Sequence, residues 1–178
     1  MHEPTLPAVP RSLKVTALTS LALLFGLLVI NQLLLSPEAP KGMFSLQLAA
    51  TAARGHAIIA GWGPEGTFWA QVSLWLDYVL VGVYTLCLVQ LTNYLLQDRP
   101  GIRERKIGHW VRALFIGAGL SDVAENTLLL NNLPSPTDGL SLAATVCALV
   151  KFTGLLLGAA GLIILRAARR HPPHHEQH

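Results

Sequence analysis

Residues 13–35 read LKVTALTSLALLFGLLVINQLLL, a run in which Lys14 is the only charge. About 20 helical residues, rising 1.5 Å each, cross a hydrocarbon core roughly 30 Å thick. The run therefore predicts a membrane-spanning helix. Pro4, Pro7 and Pro10 disfavour an earlier start. The apolar stretch is longer than the roughly 7 to 15 residues of a signal-peptide core, and no small-residue cleavage site follows, so it is expected to remain as an anchor.

Three more apolar blocks follow, at about 68–96, 109–133 and 140–165. Pro100 and Gly101 end the second, and Pro134 and Pro136 end the third. Thr137 or Asp138 can cap the start of the fourth, since either side chain accepts a hydrogen bond from free first-turn amides. Of the 178 residues, 52% are hydrophobic and only 13% are charged, where soluble domains carry about 25%. The expected fold is all-α, a polytopic membrane protein whose four transmembrane helices form a bundle over residues 13–166. Tails 1–12 and 167–178 flank it.

The loop 36–67 between the first two spans is unusual. Pro37 and Pro40 make its first part a turn, and segment 43–60 then mixes apolar residues with Gln47, Arg54 and His56. That segment is too polar to span. A continuous helix there would put Phe44, Leu48 and Ala52 on one stripe, which predicts an interfacial helix lying on the bilayer. The breakers Gly61, Gly63, Pro64 and Gly66 end it, and Trp62 suits a headgroup-level belt.

Net charge is +3, and the cations cluster at the ends of spans. Arg11, Lys14, Arg99, Arg103, Arg105, Lys106, Arg112, Arg166, Arg169 and Arg170 fall on one side, against Lys41 and Arg54 on the other. The positive-inside rule then puts both termini in the cytoplasm, at the inner (plasma) membrane of a cell. Juxtamembrane cations of this kind answer to anionic lipid, and no nucleic-acid partner is expected.

Four ionisable residues lie inside the spans: Asp77 in the second, Asp122 and Glu125 in the third, and Lys151 in the fourth. Each charge in lipid costs about 2.5 to 3.5 kcal/mol, so four would cost roughly 10 kcal/mol. That equals a typical folding stability. They are therefore expected to face the bundle interior, where counting residues puts Asp122 and Lys151 near the midplane, Glu125 slightly outward and Asp77 nearer the outer surface.

In Ser121-Asp122-Val123-Ala124-Glu125-Asn126, spacings of three and four place Asp122, Glu125 and Asn126 on one helix face. Two carboxyls in one poorly solvated place are candidates for an acid and base pair, with Lys151 as counter-ion. Tyr84 lies two turns beyond Asp77 and offers a phenol to a carboxylate or ligand. Asp77, Tyr84, Asn126, Lys151, His56 and Trp62 complete a candidate ligand site. Asn31 and Gln32, near the outer end of the first span, add polar groups at a compatible depth. Gly154 and Gly158 have a spacing that permits close helix approach.

No metal site and no cofactor are expected. Cys87 and Cys147 lie in separate spans without histidine neighbours, and the tail from His171 to His178 is broken by Pro172 and Pro173. Phosphate-loop, serine-elbow and HExxH motifs are missing from the sequence.

Taken together, Leu46-Gln47-Leu48-Ala49 through Trp62, Leu76-Asp77-Tyr78 with Tyr84, the Asp122-x-x-Glu125-Asn126 run and Val150-Lys151-Phe152 resemble a family of small bacterial four-helix integral membrane proteins. The resemblance covers about residues 15–165. It implies that these positions belong to one site, and it attaches no activity to them.

The expected function is binding of an amphiphilic small molecule, or proton transfer on it, in a buried acidic pocket open to the outer side. The alternatives are a proton-coupled transporter or sensor and an accessory subunit of a larger membrane complex. Expected partners are membrane lipid and that small molecule, with a homo-oligomer or larger complex also open.

Overall fold

A computed structural model describes residues 8–97 and 101–170. Five helices follow in order: α1 (Arg11–Leu33), α2 (Met43–Gln47), α3 (Ala52–Leu96), α4 (Ile102–Asn132) and α5 (Asp138–Arg170). Among the described residues there is no strand, and α1, α3, α4 and α5 are long and apolar enough to cross a membrane. The histidine-rich tail from His171, Arg99 and the first two N-terminal prolines lie outside the described residues.

At 45 residues α3 would be about 68 Å long if straight, twice the hydrocarbon thickness. It is not straight. Gly63 has φ 64° and ψ −169°, a backbone that glycine adopts at little cost, and Pro64 then starts a new helix at a position where its missing N–H does no harm. The chain is thus divided into a short arm before Gly63 and a spanning helix after it. The expected breakers act as one hinge within the element.

The expected continuous helix over 43–60 is not present. It is split into α2 and the arm of α3 by residues 48–51, where Ala50 takes a left-handed φ of 59°. The cause is tertiary. The Ala50 amide donates to Thr145 Oγ1 on α5 at 3.1 Å, and that hydroxyl donates in turn to the Gln47 carbonyl at 2.9 Å. With the helix broken, Phe44 and Leu48 remain exposed rather than forming a shared stripe with Ala52.

The arm also does not lie free on a surface. Thr51 caps it by accepting from the Arg54 amide, and Asp138 Oδ1 at the head of α5 accepts from the Ala52 amide at 2.7 Å. Farther along, the Trp62 indole donates to the Leu34 carbonyl at 2.7 Å. Leu34, Met43, Leu46, Ile58, Leu74 and Leu129 form one cluster across α1, α2, α3 and α4. The loop between the first two spans therefore folds back as a cap on one end of the bundle.

We expect Thr145→Val to cost about 1 to 2 kcal/mol, because an isosteric apolar side chain leaves the Ala50 amide and Gln47 carbonyl without their partner. Thermal unfolding in lipid discs checks this. A variant with the wild-type midpoint would show that the cap does not depend on Thr145.

Helices α4 and α5 make the closest pair. A side chain at Gly154 would meet Ala118 Cβ at 3.1 Å and the Leu114 carbonyl at 3.2 Å, and Gly158 lies against the Phe115 ring. Lipid offers helices no hydrophobic reason to associate, so such small-residue contacts supply the packing. By contrast α1 packs chiefly along α3, with Leu13 as its only buried side chain. Thr16 reaches Gln90 of α3 at 3.1 Å, and Gly26 lies beside Leu76. Between α1 and α5 a gap remains.

Candidate functional site

The buried ionisable residues meet on the α3–α4–α5 side of that gap. Lys151 Nζ donates to Asp122 Oδ1 at 2.9 Å and lies 2.6 Å from Glu125 Oε2. The Glu125 contact is a close ion pair, and Glu125 Oε1 has no hydrogen-bond partner among the described residues. The Tyr84 hydroxyl donates to Asp122 Oδ2 at 2.9 Å. Both oxygens of Asp122 are thus occupied, and the one cation is shared by two acids.

Asp77 is tied to the same cluster from one turn away, since Asn126 Nδ2 donates to its Oδ2 at 2.9 Å. No cation lies within ion-pair distance of Asp77 among the described residues. Periodicity explains how these residues meet: Asp122, Glu125 and Asn126 share the buried stripe of α4 and face α3 and α5 together. A buried ion pair of this kind gains little net stability, but removing one partner strands the other.

The gap is a cavity of about 570 Å³. Leu21, Leu24 and Leu28 of α1 form one wall, and Asp77, Asp122 and Lys151 form a polar patch on another. At the α2 end, Phe44 stacks on Phe152 of α5 with centroids 6.0 Å apart, and Lys151 Nζ lies 4.8 Å from the Phe152 ring centre. At the opposite end Leu13, Tyr94, Leu95 and Leu165 form a second apolar cluster. Between these two clusters α1 and α5 make few contacts, and the cavity is partly open.

The sequence-level candidates divide into three groups. Asp77, Tyr84, Asp122 and Lys151 line the cavity. Glu125 and Asn126 lie behind them, each 0% exposed, and support the patch without lining it. His56 and Trp62 are elsewhere: His56 is exposed on the arm of α3, and Trp62 packs into the capping cluster. Gln32 is exposed, whereas Asn31 lines the cavity while its Oδ1 accepts from the Met43 amide at 2.8 Å.

Gln47 and Ser73 also line the wall. Gln47 is 7% exposed and lines the cavity, and its buried Oε1 has no hydrogen-bond partner among the described residues. Ser73 lies one turn before Asp77 on the same wall. The resemblance groups Gln47, within the stretch from Leu46 to Trp62, with the site, whereas nothing in the sequence singles out Ser73.

The fold and the site define a small polytopic protein of the four-helix membrane class, with a charged patch inside a partly open chamber. Comparison with known protein families, curated proteins and solved structures finds no match for the chain.

Proposed function

We propose that the chamber binds an amphiphilic small molecule taken from the bilayer, with its apolar body along the α1 leucines and its polar end at the Asp77, Asp122 and Lys151 patch. The observation that carries this reading is the cavity itself, about 570 Å³ in volume, with an apolar wall and a localised polar wall. Ligand pockets commonly hold roughly 300 to 1,000 Å³ and combine these two kinds of lining. A network serving only to fix helix register would have no need of such a space. Cation counts favour a plasma-membrane orientation with both termini cytoplasmic, which puts the α2 end of the chamber in the outer half of the bilayer.

Binding is favoured over proton transfer. An acid and base pair would need both carboxyls within reach of the ligand, and Glu125 is walled off behind Lys151 and Asp122.

Leu24→Trp should fill the α1 wall and lower the amount of retained ligand roughly tenfold or more, as loss of apolar contact and steric exclusion combine. Native mass spectrometry of protein in lipid discs, wild type against this variant, reads the retained molecules. A discrete species lost in the variant supports the chamber. Identical bulk lipid in two equally folded samples would overturn it.

A further inference from the structure

The polar wall is selective in sign, and we infer that the ligand's head is cationic, a primary or secondary ammonium that pairs with Asp77. This rests on the chamber reading above. In the cluster, Asp77, Asp122 and Glu125 face a single cation, Lys151, whose ammonium is already shared between Asp122 Oδ1 and Glu125 Oε2. Asp122 Oδ2 is filled by the Tyr84 hydroxyl. Asp77 alone lines the cavity with neither a cation nor more than one hydrogen bond, the one from Asn126.

A second polar group on the same chamber is independent of the acids. Gln47, on a different helix, is 7% exposed, and its Oε1 has no donor. A buried polar atom left without a partner costs roughly 1 to 3 kcal/mol, so a ligand head that hydrogen-bonds the Gln47 amide would relieve a cost. An anionic head would meet the Asp77 carboxylate and find Lys151 already neutralised. A neutral hydroxyl could satisfy one acceptor but leave the charge on Asp77 unbalanced. An ammonium on a hydrocarbon chain meets the sign, the donor requirement and the leucine wall together. Among the described residues Lys151 is the only lysine or arginine on the chamber wall, so no other basic side chain there serves.

The test uses the full chain in phosphatidylcholine discs and three photoreactive probes that share one diazirine-bearing alkyl chain and end in a primary amine, an alcohol or a carboxylate. Peptides carrying Leu24 or Leu155 are quantified by mass spectrometry. The amine should label them roughly tenfold more than the alcohol, since a charge-assisted hydrogen bond is worth about one power of ten or more in affinity, and the carboxylate least. Asp77→Asn should bring amine labelling down to the alcohol level. The comparison among probes needs only wild-type protein, so it stands if that variant does not fold. Equal labelling by all three probes, or preference for the carboxylate, would overturn the cationic head and leave the chamber intact. Labelling no greater than in Leu24→Trp for every probe would overturn both.

Discussion

Lys151→Met is expected to destabilise the protein by about 3 to 5 kcal/mol, because it strands Asp122 and Glu125 without their shared cation in a place that is 3% and 0% exposed. The size of the effect reflects the loss of a partner rather than the net value of the ion pairs. Bringing three charges together inside the bundle has a desolvation cost that roughly offsets their attraction. It follows that the triple change Asp122→Asn, Glu125→Gln and Lys151→Met should recover most of the loss, since no buried charge is then left alone. Coupling of that size is expected for residues in one network and not for distant sites. Unfolding midpoints of the single and triple variants in lipid discs give the comparison. If the triple variant is as unstable as the single one, the three residues do not act as a unit.

Gly154→Leu should be the next most damaging change, at about 1 to 3 kcal/mol. The new side chain has no room, with Ala118 Cβ at 3.1 Å and the Leu114 carbonyl at 3.2 Å from the position of a first added carbon. Backbone cannot rotate away as a side chain can. Helix α5 would have to move off α4, carrying Lys151 from Asp122 and Glu125. The variant should therefore lose both stability and any ligand retention, whereas Gly139→Ala, at a position with nothing within 4 Å, should change neither. Equal midpoints for the two variants would contradict close packing of α4 on α5.

The four spans were legible because their signal is local: length, apolarity and terminating prolines are properties of each segment alone. That Asp77, Asp122, Glu125 and Lys151 should face inward was legible too, from the cost of leaving charge in lipid and the spacing on α4, but not that they meet in one cluster. What escaped the sequence depends on contacts between distant segments. The break at Ala50 is held by Thr145, 95 residues away, and no pattern within 43–60 announces it. Burial of Gln47 follows from that break; the resemblance grouped the stretch from Leu46 to Trp62 with the site, but no pattern within it marked Gln47 as the wall residue.

Helical spacing also had a limit at the site. It correctly groups Asp122, Glu125 and Asn126 on one stripe, but a stripe wide enough to touch both α3 and α5 does not say which residue reaches a cavity beyond them. His56 and Trp62 were associated with the site by their place in the loop between spans. The fold back of that loop instead uses Trp62 to hold the end of α1 and leaves His56 in the open.

The most direct test of the chamber is a high-resolution experimental structure of the wild-type chain in lipid discs. The account predicts α1 and α5 held apart, with elongated density between them ending within about 3.2 Å of Asp77 or Gln47, a hydrogen-bond distance. Helix α1 packed directly against α5, with the leucine wall closed and Asp77 sealed from any ligand, would contradict it.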